Sequence, residues 1–120
     1  MSDVGKAVID CSGARIVECL EPIVTTGDAL GLVSACIEND ATRLLLEDRH
    51  LPPAFFDLRS GFAGEFVQKL VNYRMQLAVV FSDVPRHGER FEQFVLEARR
   101  GRGFRAFDDR ESALAWLAGS

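Results

Sequence analysis

Two short continuous apolar runs, Leu44-Leu45-Leu46 and Leu77-Ala78-Val79-Val80-Phe81, stand out against stretches that alternate or repeat every three to four residues. Runs of this length and make-up read as strands covered on both faces, here Arg43–Glu47 and Gln76–Ser82. Upstream, Lys6–Cys11 and Ala14–Leu20 read as two strands joined at Ser12-Gly13, a Gly-containing turn that suits a hairpin. Phe104 and Phe107 flank Arg105-Ala106 in a last short strand.

Helical spacing fills the intervals. Thr26 is placed to cap a helix over Gly27–Glu38, with Leu30, Val33 and Ile37 on its buried face. Leu51–Phe56 is broken by Pro52-Pro53 and reads as irregular or a short helical turn. Ser60 is placed to cap a helix from Gly61 to about Asn72, whose Phe62, Phe66, Leu70, Ala63, Val67 and Val71 make a wide apolar stripe. Gly88–Arg100 turns Phe91, Phe94, Val95 and Ala98 inward and stops at Gly101. Asp108 is placed to cap Asp109–Ala118, with Glu111 completing a capping box and Leu114 and Leu117 facing in beside Trp116. The order β-β-α-β-α-β-α-β-α predicts a single α/β domain over residues 1–120, with a mixed, mostly parallel sheet under helical cover.

Composition narrows the function classes. The 120 residues suit one core, and 48% hydrophobic with 27% charged residues is a globular balance. A formal net charge of −4 argues against a nucleic-acid partner, because phosphate neutralisation needs a basic excess. The basic cluster Arg99-Arg100-Gly101-Arg102 with Arg105 reads as a helix end favoured by the macrodipole. Cys11, Cys19 and Cys36 are odd in number and widely spaced, which argues against a disulfide framework or structural zinc. With no leader-like segment and no apolar run long enough to span a bilayer, the expected compartment is the cytoplasm, with no membrane partner.

Ligands of such sheets bind outside the carboxyl ends of the strands. That rule selects Thr25–Asp28, Asp83–Gly88, and the long stretch from Glu47-Asp48-Arg49-His50 to Asp57-Leu58-Arg59-Ser60-Gly61. The last is densest: Asp57, Arg59, Ser60, Gly61, Gly64, Glu65, Gln68 and Lys69 are the candidate ligand- or partner-binding residues, around a helix start that favours an anion. A structural account competes: Ser60 as a cap, Gly64 as a packing residue, and Glu65 with Lys69 as an i,i+4 pair. His50 and His87 suit proton transfer, but no nucleophile motif accompanies them. Asp48, His50, Asp57 and His87 carry no metal-ligand spacing, so neither a metal nor a cofactor is expected. Gly101-Arg102-Gly103 lacks the pattern of a phosphate loop.

The stretch Phe55–Lys69, with Asn72-Tyr73 and Leu77–Val80 behind it, resembles an uncharacterised bacterial family, domain of unknown function 4180. That family's signature reads F-F-D-L, basic residue, Thr/Ser-G, apolar residue, A-G-E, two residues, Q-K, then N-Y. At one remove the layout is similar to STAS-type domains, the anti-sigma-factor antagonist fold, down to the closing Ala113-Leu114-Ala115-Trp116-Leu117 helix. That resemblance implies a non-catalytic regulatory or binding module that meets a protein partner or a small anionic ligand around Asp57–Gly64. It also makes Ser60 a candidate phosphosite, although Asp57–Gly61 has one residue more than the antagonists' Asp-Ser-Ser-Gly turn. Two alternatives stand beside it. One is a small enzyme or biosynthetic accessory protein using Asp57 or His87 as acid/base and Arg59 on a small anionic substrate. The other is a homodimeric structural protein pairing through the hairpin Lys6–Leu20.

Overall fold

In the computed structural model, which describes residues 6–119, the two aliphatic runs lie side by side in the middle of one sheet. Leu44 stands opposite Leu77, Leu45 opposite Ala78 and Leu46 opposite Val79, all fully buried. The strands are β1 (Lys6–Cys11), β2 (Ala14–Cys19), β3 (Arg43–Glu47), β4 (Gln76–Val80) and β5 (Phe104–Phe107). They lie in sequence order, with β1 antiparallel to β2 and the remaining neighbours parallel. The β1–β2 turn has Ser12 and Gly13 both in the left-handed region (φ 52° and 85°), the conformation a two-residue hairpin needs to match strand twist.

The helices are α1 (Asp28–Glu38), α2 (Pro53–Phe56), α3 (Phe62–Asn72), α4 (Glu89–Ala98) and α5 (Arg110–Leu117). Crossovers between parallel neighbours share one hand, so a sheet wound steadily in one direction collects its crossover helices on one face. Accordingly α1, α3 and α4 bury Leu32, Phe66 and Phe91 against Val17, Leu44, Leu46, Leu77 and Val79. Because strand side chains alternate, Ile16, Leu45 and Ala78 point to the other face, where α5 covers them with Ala113 and Leu117. Phe55 is the hub of the larger core: it is fully buried, with six aromatic rings at centroid distances of 5.7–6.4 Å.

Several details differ from the sequence expectation. In α1 the inward face is Ala29, Leu32, Val33, Ala35 and Cys36, while Leu30 and Ile37 are exposed. Small residues bring that face close to the sheet and to α3, so the larger aliphatics turn outward. Thr26 does not cap α1; Gly27 is the first flanking residue, and the Asp28 carboxylate instead accepts the Val24 and Thr25 N–H groups. Ser60 lies one position earlier than expected relative to its helix: Gly61, left-handed at φ 78°, flanks α3 directly. The Ser60 hydroxyl still accepts the Phe62 N–H at 3.1 Å. At α5 the cap is Asp109, which accepts the Ser112 N–H at 2.7 Å, whereas Asp108 pairs with Arg99 at 2.6 Å. Gly101 is required after α4 for lack of space, since a Cβ there would sit 1.9 Å from the Phe104 carbonyl oxygen.

Candidate functional site

The segment between β3 and β4 is placed by Phe55. Burial of that ring fixes α2, and the chain leaving it forms a 3-10 turn, Leu58–Ser60, that delivers Gly61 to the start of α3. The Asp57 carboxylate accepts the Arg59 N–H at 3.2 Å and lies 4.0 Å from the Arg59 guanidinium. With these side chains 61% and 84% exposed, the ion pair contributes little. Ser60 donates its hydroxyl to the Ala54 carbonyl at 2.7 Å while accepting from Phe62. Its oxygen is thus held at the entrance to α3, on an exposed residue.

Along α3 the polar positions continue outward. Glu65 accepts the Thr26 hydroxyl at 2.8 Å and lies 3.8 Å from Lys69, tying the start of α1 to the first turns of α3. Gln68 donates to Asn72 at 2.8 Å. Gly64 is no packing residue: a Cβ there would meet nothing within 4 Å, so the backbone of the first turn is open to an approaching surface. Asp57, Arg59, Ser60, Gly61, Gly64, Glu65, Gln68 and Lys69 therefore form one exposed strip whose polar groups are matched locally.

One cleft lies over the carboxyl ends of β3 and β4. It measures about 500 Å³ and is lined by Asp48, Arg49, Phe56, Ser82, Arg86 and His87, with Leu51 and Pro53. Asp48 accepts both the N–H and the hydroxyl of Ser82, at 2.8 and 2.9 Å, and so ties the two loops together. Arg49 pairs with Glu47 at 2.8 Å. The His87 ring stacks on Phe56 at 3.9 Å and meets the edge of Phe91 at 5.4 Å. Arg59 lines a different groove from His87, with Arg90, Gln93 and Phe94. His50 lies toward β2, its carbonyl accepting the Ile23 N–H at 2.7 Å. Among the described residues, no three of His, Cys, Asp and Glu are grouped to hold a metal ion, and no helix is long and apolar enough to cross a membrane.

Sequence reasoning missed one charged centre. Glu18, on the α5 face of β2, is buried and accepts two hydrogen bonds from Arg110, at 2.5 and 2.8 Å. Glu47 adds a second carboxylate 3.9 Å from the same guanidinium. The hydrogen bonds that Arg110 donates to Glu18 raise its pKa above the ordinary value. A cation in the first turn of a helix opposes the macrodipole, and these carboxylates offset that cost. The readable signal was an acid at an inward-facing strand position; its partner, 92 residues away, carried none. Both Cys19 and Cys36 are buried thiols, and burial pushes the Cys36 pKa up to about 11.

No curated protein and no solved structure matches the chain. The family profile of the domain of unknown function DUF4180 matches residues 11–117, which takes in every element from β2 to α5. The chain therefore belongs to the DUF4180 family.

Proposed function

We propose that this chain is a non-catalytic regulatory or binding module of the cytoplasm that meets a protein partner through the strip Asp57–Lys69. The observation that carries this reading is the local satisfaction of the strip's polar groups on an exposed surface. Asp57 serves Arg59, Ser60 serves Ala54 and Phe62, and Glu65 serves Thr26 and Lys69. A reaction centre gathers such groups around an enclosed substrate; a recognition surface presents them outward, beside open backbone such as that at Gly64. The STAS-like layout supports it too, since Ser60 stands in the β3–β4 crossover just before the helix, where the antagonists carry their phosphoserine. A phosphate there would end the donation to Ala54 and add negative charge next to Asp57.

The test is the binding of a partner recovered from host extract to the wild-type chain and to Asp57→Ala, Ser60→Ala and Glu65→Ala. All three should weaken binding at least several-fold, well beyond what the modest fall in melting temperature from their lost hydrogen bonds explains. Unaltered binding in all three places the partner face elsewhere.

A second reading has its own observation, the cleft holding Arg49, Arg86 and His87. It suits a small organic anion, with guanidinium groups for the charge and the Phe56 ring for an apolar body. Short carboxylates and phosphates that bind there should raise the melting temperature, and Arg86→Ala should abolish the rise. The enzymatic alternative built on Asp57, Arg59 and His87 has weaker support, because Arg59 and His87 line different clefts.

A further inference from the structure

The two edges of the sheet are unequal. β5 is four residues long, and its Arg105 is committed to the Gly101 carbonyl and lies over the Trp116 ring at 5.0 Å. β1 is six residues long and runs Lys6-Ala7-Val8-Ile9-Asp10-Cys11, an apolar centre between a base and an acid. Its outer side carries no strand among the described residues. A long, apolar and uncovered edge is a template for another strand.

The surroundings of that edge are apolar as well. Of the eight large hydrophobic residues exposed among those described, Val8 belongs to this edge, Leu20 follows the neighbouring strand β2, and Val24 lines a groove together with Lys6. Val8 stands opposite Val17, so it points to the face that α1 covers, yet it is 45% exposed.

We infer that two copies of this chain pair antiparallel through β1 about a two-fold axis, Lys6 of each copy facing Asp10 of the other. The register follows from symmetry. A two-fold axis normal to the sheet keeps each face on its own side, so residue numbers opposite one another must share parity and sum to a constant. Centring on Val8 sets Lys6 against Asp10, Ala7 against Ile9 and Val8 against Val8: two opposite-charge pairs around an apolar middle. Centring on Ile9 sets Val8 against Asp10, and centring on Ala7 sets Lys6 against Val8, so each loses both charge pairs. Among the described residues Asp10 pairs only with Arg15, at 3.7 Å and with both side chains exposed, and so stays available. The outcome is a ten-stranded sheet with Val8 of both copies on the axis.

This inference stands apart from the proposed partner face on α3, and the same charges test it. A chain carrying Lys6→Glu presents two acids to its own copy, and a chain carrying Asp10→Lys presents two bases. Sedimentation equilibrium over a wide concentration range should show the wild type approaching twice the chain mass. Each variant alone should stay at the monomer mass, and the equimolar mixture should regain the dimer. Circular dichroism checks that each variant is folded. Val8→Lys, at a position already exposed, should also give a folded monomer. A wild type that stays monomeric overturns the inference, as does a dimer that survives both single variants. Two monomeric variants that fail to associate on mixing overturn the register.

Discussion

Phe55 and Phe56 are adjacent, both aromatic, and put to different uses. Phe55 fills the centre of the core, whereas Phe56 is half-buried and forms one wall of the cleft, stacked on His87. Truncating the first should empty a site that its neighbours cannot close. Phe55→Ala is expected to destabilise the chain by about 3–5 kcal/mol in urea unfolding, and Phe56→Ala by clearly less. The thiols divide in the same way. Cys36 is wholly buried and its pKa is pushed up to about 11, and burial also raises Cys19, so neither offers a thiolate near neutral pH. Under native conditions a disulfide reagent should titrate Cys11 alone, the half-buried thiol of β1, and reach all three on unfolding. Rapid native labelling of Cys36 would contradict the packing of α1.

At the scale of elements, two carboxylates fix two helix entrances. Asp28 holds the Val24 and Thr25 N–H groups ahead of α1, and those hydrogen bonds depress its pKa below the ordinary carboxylate range. Since the folded value lies below the unfolded one, this stability is present above the unfolded pKa and is lost as pH falls through the folded pKa. The melting-temperature deficit of Asp28→Asn should therefore be clear at neutral pH and shrink in strongly acidic buffer. The second is Glu18, which anchors α5 through Arg110 to the sheet face opposite the other helices. Arg110→Met leaves a buried carboxylate without its guanidinium. Because Arg110 is 42% exposed, water can relieve part of the cost, and the expected loss is about 1–3 kcal/mol. Glu18→Gln in the same background should recover some of it, and a double-mutant cycle measures the coupling.

These element-scale features were unevenly legible in the sequence. Leu44–Leu46 and Leu77–Val79 could be read directly, because a continuous apolar run can satisfy its side chains only in a sheet covered on both faces. The inner face of α1 was misread because Leu30 and Ile37 are more hydrophobic than Ala29, Ala35 and Cys36, yet close packing chose the smaller set. The α5 cap slipped by one residue because Asp108 and Asp109 are equally good caps, and Arg99 drew the first away. The local hydrogen bonds of Asp57 and Ser60 were legible because their partners are close in the chain. The cleft was not assembled in advance, because Asp48 and Ser82 meet across 34 positions through register alone.

For the molecule as a whole, the winding of the sheet gathers α1, α3 and α4 on one face and leaves three surfaces with distinct chemistry. The rim above β3 and β4 is a cleft with guanidinium groups, the start of α3 is an exposed polar strip, and the β1 edge is apolar with one charge at each end. The proposed role, a module that associates rather than one that converts a substrate, uses the second of these surfaces. The most direct measurement of that claim is amide hydrogen exchange on the chain, free and bound to a partner it recovers. New protection is predicted over residues 57–69, strongest in the first turns of α3 and extending to Thr26. Protection confined to the cleft loops or to β1, with 57–69 exchanging as in the free chain, would contradict it.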